Sequence, residues 1–303
     1  MNITRVLYPT DLSDASAHAA EWAAAVAGFY KASITVLHVV SPILMAVPSL
    51  GTSMVDESIE KTETERLRRN VATRFGEPLT DGGRLDVLID VGQPAHRILE
   101  RAAALPADLI VIGTHGSSGF EHLVLGSVTE KVLRKATCPV LTVPPRAQAT
   151  SQLPFKRLLC AVDFSEASLA AVTAALSLTQ ESGGTLTLLH VLEWPWDEPP
   201  PPNIKELPLE QGLSLAEFRR YSEDSAKKRL DALIPPTIPS SRAVTRLGNG
   251  KSYVQILRVA DEEQTDLIVI GVHGRNPVDM ALFGSTTNQV VRRATCPVLT
   301  FRQ

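Results

Sequence analysis

The chain has 303 residues, with 30 basic and 33 acidic side chains and a formal charge of −3. That length favours two domains over one, the near-balanced charge offers no basic stripe to nucleic acid, and aromatic residues, at 5% of the chain, are too sparse for a base-stacking platform. Cys138, Cys160 and Cys296 form no CxxC pair and no Cys/His spacing for a metal, which fits a reduced, cytoplasmic compartment.

The first apolar run begins at Arg5, with no charged segment and apolar stretch ahead of it, so no signal peptide is expected. No apolar run is long enough to span a bilayer. Strands are expected near residues 5–8, 33–39, 85–90, 109–112 and 140–143. They are rich in Val, Ile and Leu rather than alternating, as strands covered on both faces are. The alanine-rich stretch 13–29, with Ser13 as N-cap, and the charged stretch 56–75 read as helices between them. Such alternation implies a doubly wound parallel sheet.

After a polar, proline-bearing linker at 144–154 the same series starts again. VLYPTDLSDAS (6–16) returns as LCAVDFSEAS (159–168), ITVLHVV (34–40) as LTLLHVL (186–192), DLIVIGTHG (108–116) as DLIVIGVHG (266–274), and RKATCPVLTV (134–143) as RRATCPVLTF (292–301). Domains are therefore expected over 1–146 and 154–303, each a five-stranded parallel sheet. Asp11 and Asp163 are 152 positions apart and Gly113 and Gly271 are 158 apart, so the second copy carries a net insertion of six residues. Its place is expected in 193–212, which holds WPWDEPPPP; 41–55 is the corresponding apolar loop. Loops of this length serve as functional lids or as plain connections. The last strands, CPVLTVP and CPVLTFR, are short, apolar and at sheet edges. Antiparallel pairing of 140–143 with 298–301 would cover both edges and make an internal pseudo-dimer.

In open α/β sheets ligands bind beyond the carboxyl ends of the strands. There, after Ile112, come Gly113, two residues, Gly116, nine residues, then Gly126 and Ser127; after Ile270 come Gly271, Gly274, Gly284 and Ser285 at the same spacing. Glycine lets the backbone come close to a phosphate and adopt a positive φ. A helix starting at Ser127 or Ser285 turns free amides and its dipole toward an anion. The helix-start residues Ser127, Val128 and Thr129, and Ser285, Thr286 and Thr287, are the candidates, with the Ser and Thr hydroxyls as further phosphate donors. His115 and His273 lie inside the loops and either donate to a phosphate or brace the loop. Asp11 and Asp163, after the first strand of each half, either contact a ligand or brace the turn into the helix.

The G-x2-G-x9-G-[ST] pattern, present twice, resembles the nucleotide-binding pattern of the universal stress protein family, and the resemblance extends over nearly the whole chain. It implies tandem Rossmann-like domains, related to adenine nucleotide alpha-hydrolases, that bind ATP, with or without Mg²⁺. It implies that Asp11 and Asp163 face the adenine, that Val39 and Val191 line the base pocket, and that Pro9, Thr10, Ala161 and Val162 lie alongside. It also implies a nucleotide-binding regulatory role in stress response, with two chains able to associate as a homodimer. A slow ATPase or nucleotidyl transferase, and a structural dimerisation module with vestigial sites, are the alternatives. The first glycine loop continues Ser117-Ser118-Gly119 where many members have an Arg and then a Gly, and the second has Arg275-Asn276-Pro277; a difference in affinity between the sites would follow.

Three further features read as structural. His38 and His190 are expected to be packed strand residues. Cys138 and Cys296, in Thr-Cys-Pro, read as small buried hydrophobes. TRLGNGKS (245–252) resembles a P-loop but lacks its first glycine, and is expected to be a strand-to-helix turn.

Overall fold

The structure is a computed structural model. It describes residues 1–40, 62, 65–66, 68–70, 73, 85–114, 125–145, 147, 155–193, 215–272 and 284–302. In the first half the order is β1 (Arg5–Thr10), α1 (Asp14–Tyr30), β2 (Ser33–Val40), β3 (Leu85–Val91), α2 (Pro94–Ala104), β4 (Leu109–Gly113), α3 (Ser127–Lys135) and β5 (Val140–Val143). The second half runs β6 (Arg157–Ala161), α4 (Glu166–Ser182), β7 (Thr185–Leu192), α5 (Leu215–Asp231), β8 (Ala243–Asn249), α6 (Ser252–Glu262), β9 (Leu267–Gly271), α7 (Ser285–Arg293) and β10 (Val298–Phe301).

All ten strands belong to one sheet in the order β3-β2-β1-β4-β5-β10-β9-β6-β7-β8. Pairing is parallel inside each half, and the halves meet at an antiparallel junction in which Thr142 faces Val298, Leu141 faces Leu299 and Val140 faces Thr300. The junction is the pairing that the short apolar end strands suggest. It is reinforced by two related side-chain bonds, from Thr142 Oγ1 to Val298 O and from Thr300 Oγ1 to Val140 O, each 3.1 Å. On one face, Trp22 of α1 stacks on Phe155 ahead of β6 at 5.7 Å, and the Tyr30 hydroxyl donates to Glu181 Oε2 of α4 at 2.6 Å.

Two apolar layers cover the sheet. One contains Val6, Tyr8, Ile34, Val36, Val162 and Leu188 with α1 and α4. The other contains Leu7, Leu37, Ile110, Ile112, Ala161, Val191 and Ile270 with α2, α3, α6 and α7. Neighbouring strand residues fall in opposite layers because side chains alternate along a strand. β4 and β9, both LIVIG, are buried at every residue, which is why they carry no polar–apolar alternation.

Local signals act as expected at several ends. Ser13 caps α1, accepting from Ser16 N, and Ser165 caps α4 by accepting from Ser168 N. The P-loop-like stretch is the end of β8 and the turn into α6, with Gly250 at φ 110°; the Ser252 amide at the start of α6 donates to Glu193 Oε1. Helix in 56–75 is described only at 62, 65–66, 68–70 and 73. The loops 41–55 and 194–212, and the greater part of the linker, lie outside the described residues. Cys296 is buried as expected, whereas Cys138 is only half-buried against the same layer; burial pushes the Cys138 thiol up to about 11 and the Cys296 thiol to about 12, so both stay protonated.

Candidate nucleotide-cradle site

Each half assembles the carboxyl ends of its first, second and fourth strands beside the start of its last helix. In the first half these are β1, β2, β4 and α3. In the second they are β6, β7, β9 and α7.

Both helix starts begin at a glycine. Gly126 and Gly284 occupy the N-cap positions, and among the described residues no side chain caps either helix. The first intrahelical bonds run from Glu130 N to Gly126 O and from Asn288 N to Gly284 O, each 2.9 Å. The amides of Ser127, Val128 and Thr129, and of Ser285, Thr286 and Thr287, precede that bond and have no partner within the helix. They form the positive end of the helix dipole. Ser127 and Ser285 are exposed there, while Val128 and Thr286 are half-buried.

Thr129 and Thr287 have another task than donating to a ligand. Both are buried, and their hydroxyls donate to Gly113 O and Gly271 O at 2.8 Å. A hydroxyl has one proton, and here each is given to a glycine carbonyl: these side chains bolt the helix start to the end of the fourth strand. Bonds from Gly126 N to Thr114 O at 2.9 Å and from Gly284 N to Val272 O at 3.2 Å close the same bracket.

The glycines also need a revised reason. Gly126 and Gly284 have φ of −57° and −50°, ordinary for any residue. What differs is space. A Cβ on Gly126 would meet Thr114 O at 3.4 Å, but one on Gly284 would meet Val272 O at 2.8 Å. At Gly271 a Cβ would lie 2.8 Å from Ser168 N, because the start of α4 passes over the end of β9.

The base-side candidates separate by face. Val39 and Ile112, and Val191 and Ile270, pack in the same layer as α3 and α7. Ala161 joins them, and strand alternation puts Pro9 there beside Leu7. Thr10 and Val162 point to the other layer: Thr10 Oγ1 is 3.0 Å from Ser16 Oγ, and Val162 packs in the α1/α4 core. Their side chains therefore lie across the sheet from the helix starts, as the two-residue period requires, and only their backbone lies alongside. The second site is the more tightly packed at Val191, which is 9% exposed and lies beneath Gly248, where a Cβ would meet Val191 Cγ2 at 3.3 Å.

Asp11 and Asp163 brace the turn in both halves. Asp11 Oδ1 accepts from Ser13 N at 3.1 Å and Ser13 Oγ at 2.6 Å; Asp163 Oδ1 accepts from Ser165 N at 2.9 Å and Ser165 Oγ at 2.6 Å. Between each Asp and Ser stands a residue in left-handed conformation, Leu12 at φ 64° and Phe164 at φ 63°. Such strain, about 1–3 kcal/mol for a non-glycine residue, persists where the surroundings over-determine it and clusters at functional sites. Two large apolar side chains give no sequence signal for it. Nor did the strand pattern reveal that His38 Nδ1 lies 2.9 Å from Thr10 O and His190 Nδ1 2.6 Å from Val162 O. His115, Gly116, His273 and Gly274, and the Ser117–Gly119 and Arg275–Pro277 stretches, lie outside the described residues. Among the described residues no group of three His, Cys, Asp or Glu is placed to hold a metal ion, and no helix is long and apolar enough to cross a membrane.

The family model described as "Universal stress protein family" matches residues 2–144 and again 154–302. A universal stress protein of Mycolicibacterium smegmatis is 28% identical over 310 residues, covering 98% of this chain and 96% of its own. One of Methanocaldococcus jannaschii is 35% identical over 142 residues, covering 46% of this chain and 81% of its own. Among solved structures, that of a universal stress protein from Archaeoglobus fulgidus DSM 4304 is similar with a TM-score of 0.70 at 23% identity, covering 100% of this chain and 99% of that one, a likeness of fold.

Proposed function

The chain belongs to the universal stress protein family, with two of its domains in tandem, and from that premise we propose that it binds an adenine nucleotide, ATP foremost, once in each domain. The observation that carries the proposal is the pair of helix starts, each with a glycine at the N-cap and each bracketed to the end of the fourth strand. Three amides and a helix dipole suit the phosphates. The layer containing Val39 and Ile112, or Val191 and Ile270, suits an apolar base. Asp11 and Asp163 keep their turns while offering a carboxylate at the strand ends, toward the ribose or base. Mg²⁺, where present, would travel with the phosphates.

The role that follows is that of a nucleotide-dependent regulator of a stress response in the cytoplasm, not an enzyme of rapid turnover. Two chains associating through surfaces outside the β5–β10 junction belong to the same reading. Calorimetry of verified nucleotide-free protein with ATP, with and without Mg²⁺, is expected to show micromolar binding, on the order of −8 kcal/mol. ATP hydrolysis by the same preparation is expected below about 1 s⁻¹, the lower end of ordinary enzymes. Absence of heat overturns the binding, and turnover in the ordinary range overturns the regulatory role.

A further inference from the structure

Each first strand ends in the same four-part arrangement. The last strand residue or the one after it, Thr10 or Val162, presents its carbonyl; Asp11 or Asp163 follows; then comes the left-handed Leu12 or Phe164; then the capping serine. Leu12 and Phe164 are not glycines, so the turn is not a conformation these residues prefer by themselves. Something outside the turn must hold it.

The histidines are placed to do so. His38 is the β2 partner of Thr10 in the parallel register, and His190 follows Leu189, the β7 partner of Ala161. A carbonyl only accepts, so Nδ1 carries the hydrogen and donates to Thr10 O at 2.9 Å and to Val162 O at 2.6 Å. The peptide so held is the one that enters the Asp. Fixing its plane fixes where the Asp N–H and Cα lie, and the Asp carboxylate is then held by its own bonds to the serine. From the Asp, the serine amide and hydroxyl pass the same constraint to α1 or α4. The bond pairs a His with the peptide ahead of an Asp in both copies, although Thr10 and Val162 differ chemically. The contact is made to the backbone, and so it survived the change of side chain.

We propose that His38 and His190 are positioning residues for the two nucleotide sites, each holding the peptide ahead of Asp11 or Asp163 from the opposite face of the sheet, so that the Asp keeps its orientation at the strand ends. The proposal rests on the nucleotide-binding reading for its consequence, but not for its geometry. A packing role predicts a different pattern of substitutions. Leucine keeps the bulk and removes the donor, whereas asparagine loses bulk and keeps an N–H close to the position of Nδ1.

The test is calorimetric titration of the full-length protein with ATP, for His38→Leu, His190→Leu, His38→Asn and His190→Asn, beside amide exchange of the nucleotide-free proteins at Ser13 and Ser165. Each leucine variant is expected to weaken one of the two sites about tenfold and leave the other as in the parent, the scale of one hydrogen bond. Each asparagine variant is expected to stay within about threefold. Exchange at Ser13 should quicken in His38→Leu alone, and exchange at Ser165 in His190→Leu alone. Leucine variants that titrate like the parent, or asparagine variants as weak as leucine, overturn the positioning role. A parent that binds no nucleotide overturns the binding reading instead; the exchange rates then decide the positioning, and unchanged rates in the leucine variants overturn it.

Discussion

The two halves carry the same brackets and different furniture. Thr129 and Thr287 make the same bond of 2.8 Å, Ser13 and Ser165 the same cap, and His38 and His190 the same reach to a strand-end carbonyl. Side chains around these brackets have drifted. On the outer strand of the first half, Asp90 is buried and paired with Arg101 through bonds of 2.7 and 2.5 Å. By strand register and helix position, the second half has Gly248 and Val259 in their places. Leu12 is matched by Phe164, whose ring packs on His190 and beneath Arg229, the guanidinium carbon 3.9 Å from the ring centre. Bonds to backbone constrain position but not the identity of the residue supplying the carbonyl, so they outlast substitution. Packing and ion pairs can be exchanged for one another, provided each buried charge keeps a partner.

The largest effect expected from breaking this correspondence is at the helix-start glycines. Gly284→Val must displace the Val272 carbonyl, and should cost about 1–3 kcal/mol of unfolding free energy. Gly126→Val meets Thr114 O at ordinary contact distance and should cost clearly less. Denaturant unfolding followed by circular dichroism measures both; equal losses would mean that the two cradles are sterically alike. ATP titration of Gly126→Val then reads the site without confounding by the fold.

An intermediate effect is expected at the brackets themselves. Thr129→Val and Thr287→Val preserve shape and leave a buried glycine carbonyl short of a donor, at a cost of roughly 1–2 kcal/mol each. Matching shifts in the denaturant midpoint, with unchanged slope, would show that the bracket is equally important in both halves. A loss in one half alone would show that the shared geometry hides unequal support.

The smallest effect is at the difference on the outer strands. The Arg101 guanidinium beside Asp90 holds its carboxyl below the ordinary value of 3.8. A lowered folded value means stability present above the unfolded value and lost as pH falls through the folded one. Asp90→Asn should therefore be less stable than the parent near neutral pH, by under about 1 kcal/mol because Arg101 is partly exposed to solvent. The gap should close as pH drops below 3.8. Thermal melts of both proteins across that range check the sign; a gap that widens in acid would assign the stabilisation to something other than this ion pair.

The repeat, the parallel strands, the Ser13 cap and the antiparallel junction of 140–143 with 298–301 were all legible in the residues, because each depends on local composition or on the burial of a short apolar strand. The glycine spacing likewise pointed to helices starting at Ser127 and Ser285. Its reason was not legible: φ at Gly126 and Gly284 is ordinary, and the constraint at Gly284 comes from a carbonyl twelve residues earlier in the chain.

Sequence alone settled that there are two domains of one kind and where their strands run, since chain periodicity and local turn chemistry are properties of neighbouring residues. Only the tertiary structure decided which hydroxyls remain for a ligand, which of two adjacent residues faces the cradle, and what holds a strained turn. Thr129 is spent on Gly113, Thr10 points to the far layer, and Thr10 O is held by a histidine 28 positions along the chain. Each of these depends on a partner brought close by the sheet, and a hydrogen bond is set by distance in space, not by spacing in sequence.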